Sequence, residues 1–309
     1  MMKMNRKKYA AAVFTALATG FASGSARAGG LLDLEFESAD FSTADPLVID
    51  NPYWPLRPNS SGVPRVFTYI SETEGDCVID QLSVDDIMYG ATHTLTGDAP
   101  YGGLTAVQVV DTEWVFEDVE SCDISLLPDD SSIKEITLDW YMQDAQKNIW
   151  YVGELSQNFE EEGCGEYPNL GVNPDDDPQC FEGSWEAGVA AGEGADQVIG
   201  EAGIVVPSDE PAPGRTLENG TYFMQETAFE AEDMAKILRQ RATLTVEDGV
   251  EPGEYSACRK TKEWTALEPG ASVEHKWYCA DGDGLVLVEG IGGGPTEKEV
   301  LVTIEPVIP

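Results

Sequence analysis

Basic side chains are scarce in this chain: 18 Lys and Arg stand against 57 Asp and Glu, with only two His. Five of the basic residues fall in the first 28 positions, which contain no acid, so the remainder carries 13 bases against 57 acids, a formal charge of −44. Nucleic acids and anionic membrane surfaces are bound by neutralising phosphate with Lys and Arg, and a chain this acidic meets long-range repulsion from both. Both partner classes are excluded. Long apolar runs are missing as well. No segment reaches the roughly 20 apolar residues that a membrane-spanning helix needs, which argues against membrane insertion. Helix-period patterns are scarce, and a C-x-x-C pair and any repeat of fixed period are absent, which counts against thiolate zinc sites, solenoids and propellers.

What apolar run there is lies at the start. Lys3, Arg6, Lys7 and Lys8 precede "YAAAVFTALATGF", and Ala26-Arg27-Ala28 supplies small residues at a cleavage position. Residues 1–28 therefore read as an export signal, with a secreted or periplasmic destination and a monomeric product. In an oxidising compartment the six Cys point to disulfides. Six allow fifteen pairings; the sequential one is favoured, Cys77 with Cys122, Cys164 with Cys180 and Cys258 with Cys279. Cys164 and Cys180 bracket an aperiodic stretch that a clamp would order, with closure contributing about 3 kcal/mol.

Strand signals dominate what is left. Segments such as "VPRVFTYI", "TAVQVVDTEWVFED", "SIKEITLDWYMQ" and "EVLVTIEP" are rich in Val, Ile, Thr and aromatics and are separated by Gly, Pro, Asn or Asp. "ITLDWYMQDAQKNIWYVGEL" is the clearest hairpin. "FEAEDMAKILRQR", residues 229–241, fits a helix or a strand about equally. The expected layout is a signal over 1–28, an N-terminal segment over 29–49 and one β-rich domain over 50–309. That domain carries a disulfide-clamped loop at 160–182 and a connection rich in Gly, Pro and acids at 183–220. The expected fold is mostly β: a large curved antiparallel sheet, an open half-barrel, with three disulfides and few short helices.

The stretch "ACRKTKEWTALEPGASVEHKWYCADGDG", residues 257–284, gathers the scarce cations beside two Trp, a His and two Cys. If Cys258 faces Cys279 across an antiparallel pair, opposed residue numbers sum to 537. Lys260 then faces Trp277, Lys262 faces His275 and Trp264 faces Val273, all on one side. The centre falls at Glu268-Pro269, inside "LEPGA", whose Pro-Gly order suits a type II turn. Three readings of that face stand open. The lysine stems could lie over the indoles and pair with acids; Lys260, Lys262, Trp264, His275 and Trp277 could floor a site for an anionic or amphipathic ligand; or His275 could serve a metal.

Several of these stretches resemble a group of exported bacterial proteins and lipoproteins. They are "NPYWPLRPNSS", "DWYMQDAQKNIWYVGE", "GSWEAGV", "FEAEDMA", "GEYSACRKTKEWTALEPG" and "EHKWYCADGDGLV". The group carries "YFPL-K-G", "GTF-x-x-C" and "YYAPGVGLV" strands. The resemblance covers most of residues 50–290 and implies a large curved antiparallel sheet, similar in kind to the open half-barrels of periplasmic lipoprotein carriers, with no established enzymatic activity. The chain departs from the pattern at "CADGDGLV", where Cys279, Asp281 and Asp283 replace apolar turn residues.

Catalytic motifs give little. No G-x-S-x-G, H-E-x-x-H, P-loop or G-x-G-x-x-G occurs in its required context, and no catalytic residue is assigned. A Ser-His-Asp set would have to use His275, because His93 sits in loop-like "GATHTLTGD". With 57 acids the sequence cannot choose a hydrolytic carboxylate pair. Calcium is the one cofactor the sequence suggests, at Asp175, Asp176 and Asp177 or at Asp281 and Asp283, although neither cluster has EF-hand spacing. The expected role is a non-enzymatic binding protein that holds a small amphipathic or anionic ligand on the concave sheet face. The alternatives are a Ca²⁺-stabilised acidic surface protein and, third, a hydrolase using two carboxylates.

Overall fold

The computed structural model describes residues 30–41, 48–57, 64–73, 76–86, 88–119, 121–127, 132–159, 181, 183–191, 198–227, 233–247, 253–265, 273–280, 284–291 and 298–306 of the 309-residue chain. The first six strands are β1 (Arg65–Thr73), β2 (Asp76–Val84), β3 (Thr92–Thr94), β4 (Thr105–Phe116), β5 (Ile133–Gln143) and β6 (Ile149–Asn158). Short strands follow: β7 (Trp185–Glu186), β8 (Ala190–Ala191), β9 (Val198–Ile199), β10 (Glu201–Val206), β11 (Tyr222–Met224) and β12 (Glu226–Thr227). The C-terminal set is β13 (Asp233–Val246), β14 (Gly253–Thr265), β15 (Val273–Cys279), β16 (Gly284–Gly290) and β17 (Lys298–Pro306). Among the described residues the only helical turns are two three-residue 3-10 segments, Ser38–Asp40 and Ile124–Leu126.

Fifteen strands share one sheet, whose path runs β11-β13-β14-β15-β16-β17-β1-β2-β4-β5-β6-β10-β12. Its two end strands are the two halves of one stretch, residues 222–227. Tyr222–Met224 pair with Met234–Lys236 of β13, while Glu226 and Thr227 pair with Ala202 and Glu201 of β10. The Gln225 N–H donates to the Asp233 carbonyl at 2.8 Å. The sheet thus comes round almost onto itself, and the expected open half-barrel is corrected to a near-closed barrel. Rolling up removes most of the unpaired edge that a fifteen-strand open sheet would leave exposed.

The seam needs a very close backbone approach. A Cβ on Gly203 would stand 2.1 Å from the Gln225 carbonyl oxygen. Only glycine lets β10 come that near. Gly153 solves a similar problem at φ 144°, where a side chain would meet the Trp185 carbonyl at 2.5 Å and the Trp140 ring at 2.8 Å.

At one end the barrel is filled with apolar side chains and covered by the chain before β1. Ile49, Tyr53, Trp54 and Leu56 are buried in the main core with Tyr69, Tyr141, Ile204 and Tyr278. Trp54 packs edge-on against Tyr141, with centroids 5.1 Å apart. Polar side chains lock this cover in place. The backbone N–H groups of Asp50 and Asn51 donate to Gln143 Oε1 at 2.9 and 2.8 Å, and Asn51 Nδ2 donates to the Lys147 carbonyl at 2.7 Å. The Arg259 guanidinium, fully buried, lies 3.9 Å from the Tyr53 ring centroid, donates to the Pro207 carbonyl and donates to Asp209 Oδ1 at 2.8 Å. Each large apolar side chain fully covered here contributes about 1.5–3 kcal/mol.

Two disulfides occur among the described residues, Cys77–Cys122 and Cys258–Cys279, so the expected three stand at two here. Cys164 and Cys180, the 160–182 loop they were expected to clamp, and Asp175, Asp176, Asp177, Asp281 and Asp283 lie outside the described residues, apart from Phe181 in that loop. Of the ambiguous stretch 229–241, Asp233–Arg241 is extended and belongs to β13. It pairs with β14 from Asp233↔Thr265 onward, so cross-strand packing decides what local propensity left undecided.

Substituting Gly203 by Ala is expected to cost about 1–3 kcal/mol by forcing the seam apart, a Tm loss of about 2–4 °C per kcal/mol in a domain of this size. Gly30→Ala, where a Cβ meets nothing within 4 Å, should leave Tm unchanged. Thermal unfolding followed by circular dichroism checks both.

Candidate functional site

Because strand side chains alternate, every second residue of each wall strand points inward. On β5 that row is Glu135, Thr137, Asp139 and Tyr141; on β2 it includes Asp80 and Leu82; on β15 it is Glu274, Lys276 and Tyr278. These three strands run in the same direction, separated by antiparallel neighbours, and each row turns from acid to apolar or aromatic along it. The acids therefore collect in one half of the barrel. They surround a cavity of about 420 Å³ lined by ten carboxylates, four Tyr, Trp54 and a single cation, Lys276.

Ten carboxylates in an enclosed space cannot all be ionised without large mutual repulsion. Burial, then the charge of neighbouring acids, raises the pKa of Asp80, Asp111 and Glu154 well above the usual carboxylate range. Asp139 is pushed up to about 7 and Glu226 to about 8, burial again being the main cause.

Geometry gives the same answer without reference to charge. The Tyr151 hydroxyl lies 2.5 Å from Asp139 Oδ1 and 2.7 Å from Glu154 Oε2. A phenol has one hydrogen and can donate to only one of them. The other short contact needs a proton on the carboxyl, so this trio holds a shared acidic proton. Its phenol fills the space between the two acids.

On the opposite side the wall is ionic. Glu263 Oε1 accepts from Thr261 Oγ1 at 2.6 Å and from the Tyr278 hydroxyl at 3.3 Å, and its Oε2 accepts from Gln225 Nε2 at 3.1 Å. Lys276 Nζ sits 3.3 Å from Glu263 and 3.6 Å from Glu274. Burial works against the Lys276 charge, but these two carboxylates outweigh it and hold its pKa well above the ordinary value. Asp111 has no such support. Its Oδ1 is shielded from solvent and makes no hydrogen bond. No three of the described acids, His or Cys converge closely enough to hold a metal ion.

The residues singled out from the sequence take a different position. The 537 register is as expected, with Cys258↔Cys279, Lys260↔Trp277 and Trp264↔Val273 paired. Lys260, Lys262, Trp264, His275 and Trp277 do share a face, but they alternate with the cavity-facing Glu263, Glu274, Lys276 and Tyr278. That face is the outside of the barrel, where the sequence reading expected the concave side. There Lys260 lies 4.6 Å from the Trp277 ring centroid and pairs with Glu289 at 3.0 Å, and Lys262 stands 5.2 Å from the Trp264 centroid. Lysine stems over indoles and a paired acid are the packing arrangement among the three readings. Burial and the neighbouring lysines lower the His275 pKa.

Sequence reasoning passed over the other histidine. His93, on β3, stacks on Trp140 at 3.8 Å and its Nε2 lies 2.9 Å from Glu186 Oε2. Glu186 is 1% exposed and also accepts from Thr96 Oγ1 at 2.8 Å and the Gly97 N–H at 2.9 Å. Burial pushes its pKa up, but the bonds from His93 and Thr96 outweigh it and leave a lowered value. With its acceptors filled, this carboxylate ties the loop after β3 to β7.

No family model and no curated protein matches the chain. Among solved structures it is similar to an exported protein with a YmcC-like fold from Bacteroides fragilis, at 13% identity over 81% of this chain and 98% of that one, with a TM-score of 0.35. It is also similar to a lipoprotein from Parabacteroides distasonis, at 10% identity over 82% and 99% of the two chains, with a TM-score of 0.27.

The raised carboxyl pKa values fix a pH trend. The unfolded chain loses these protons near the ordinary 3.8–4.5, whereas the folded chain keeps them until about 7 at Asp139 and about 8 at Glu226. Their contribution favours the folded state in mild acid and turns against it as pH rises through that window. Urea unfolding between about pH 5 and about pH 8.5 should show falling stability, and the fall should be shallower in Asp139→Asn. Glu186 has the opposite sign, its lowered pKa giving stability that is lost only in stronger acid, so Glu186→Gln should leave the neutral-range slope unchanged.

Proposed function

We propose that this is an exported, non-enzymatic binding protein whose barrel interior takes a small amphipathic molecule with a positive charge. One observation carries the reading: a cavity lined by ten carboxylates and one ammonium also presents Trp54, Tyr69, Leu82 and Leu285 among them. An amphipathic cation matches that lining in both charge and polarity. It would neutralise acids that otherwise hold protons, and its apolar part would lie against the aromatic half. The two disulfides suit an exported chain.

The anionic ligand expected from the sequence loses its support with the move of the lysines to the outer face. An anion about 5 Å from one ionised carboxylate meets roughly 3 kcal/mol of repulsion at an effective dielectric near 20. A hydrolytic pair is disfavoured at Asp139 and Glu154, because Tyr151 occupies the place a scissile bond would need. Calcium stabilisation remains a proposal for the acidic stretches Asp175–Asp177 and Asp281–Asp283; the cavity acids are spread around a wall and suit an extended organic cation better than a metal ion.

Purified protein lacking residues 1–28 is expected to gain thermal stability with hexylammonium chloride, approaching about 2.7 kcal/mol at a hundredfold excess over Kd. Hexanoate should give no gain. Lys260→Met and Lys262→Met, on the outer face, should respond as wild type does. A Tm that rises with CaCl₂ and is indifferent to hexylammonium would sink the proposal in favour of the calcium alternative.

A further inference from the structure

We infer that Asp111 is the head-group subsite of the cavity and that the head group is a primary ammonium, a cation with hydrogens to donate. This deepens the binding reading above and rests on it.

Where the bonds of the cavity acids are described, donors are supplied from within the chain. Glu135 Oε1 accepts from Thr137 Oγ1 at 2.7 Å and from Ser156 Oγ at 2.9 Å. Glu263 has Thr261, Tyr278, Gln225 and Lys276, and Asp139 and Glu154 share Tyr151. Asp111 differs from these: it lines the cavity, and its Oδ1 is shielded from solvent and without a partner. Leaving such an acceptor unmade is unfavourable, and the chain places a carboxylate where its own β-strand neighbours offer no donor.

Its surroundings specify what should fill the gap. In register, Asp111 faces Leu82 on β2 and Thr137 on β5, and the charges that act on it are those of Asp139, Glu299, Glu135 and Glu113. No base is among them. Lys276, the one ammonium on the wall, is committed to Glu263 and Glu274. It also shows how this interior holds a primary amine: between carboxylates, with an aromatic residue, Tyr278, two positions along its own strand. A second ammonium at Asp111 would repeat that arrangement, and Leu82 alongside leads its alkyl part toward the apolar end.

Charge alone does not meet the requirement. A quaternary ammonium carries the same charge but no N–H, and would leave Oδ1 still unbonded. Sites built to receive a hydrogen bond discriminate strongly against analogues that lack it.

Isothermal titration at one pH, with hexylammonium and hexyltrimethylammonium as probes, tests this. In the wild type the primary amine should bind about tenfold tighter or more, equivalent to about 1.4 kcal/mol. In Asp111→Leu that preference should collapse to near unity, with binding of the primary amine weakened about tenfold. The unliganded variant should be no less stable than wild type, because an acid whose shielded oxygen has no partner has been removed. Should Asp111→Leu not fold, Asp111→Asn serves in its place, with the same loss of affinity for the primary amine expected from loss of the charge. Equal binding of the two probes to wild type, or a preference unchanged in the Asp111 variants, overturns the subsite while leaving the cavity reading intact. Failure of both cations to bind wild type overturns the cavity reading together with it.

Discussion

Closure of the sheet along residues 222–227 is the constraint on which the rest depends. The same carboxylates on an open, curved sheet would face bulk water, where they would ionise near pH 4 and screen one another at little cost. Bringing β10 and β13 onto opposite sides of one six-residue stretch encloses them. Desolvation then becomes the leading influence on Asp80, Asp111, Asp139, Glu154 and Glu226 alike. An acidic face becomes an acidic interior by a change of topology, with no change of sequence.

Such an interior opposes folding, and the barrel offsets it elsewhere. The apolar end, with its cover of Ile49, Tyr53, Trp54 and Leu56, concentrates hydrophobic burial where the acids are absent. Outside the wall, two smaller apolar clusters form around the disulfides, one with Trp277, Val286 and Val300, the other with Ile79, Trp114 and Phe116. Stability is thus drawn from one end and from the outer surface, which frees the remaining interior from a packing role. This separation is what lets a cavity of about 420 Å³ persist within the barrel.

Much of the local structure was legible in the sequence, because strand propensity, turn residues and the Cys258–Cys279 pairing are short-range facts. The 537 register followed from two cysteines and a Pro-Gly turn, and it holds through five pairs. What the period of two could not decide is which side of a strand faces in. In β5 the apolar Ile136 and Trp140 point out and Glu135, Thr137 and Asp139 point in, the reverse of a sheet whose apolar face covers a core. The lysine and tryptophan face was placed on the concave side for the same reason. A signal was present but distributed: an acid two residues from an apolar or aromatic side chain, as in Asp80 and Leu82 or Asp139 and Tyr141. It gains meaning only when distant strands are set side by side. His93 and Glu186, 93 positions apart, were invisible on the same ground.

A carboxyl group that cannot be solvated has two ways to lose its charge, a proton from water or a fixed cation. The Tyr151 trio uses the first and the Glu263–Lys276 pair the second, on opposite sides of the same cavity. The two solutions differ in what they permit. A proton is always available and leaves the cavity vacant, whereas a cation must be brought, held and released. Where the chain supplies Lys276, the site is settled within the fold. Where it supplies only protons, around Asp111, Asp139 and Glu226, the same carboxyls stay poised to exchange them for a cation from outside, and each exchange releases protons in proportion to the carboxyls it ionises. Occupancy of such an interior is coupled to pH by mass balance alone, without any moving part.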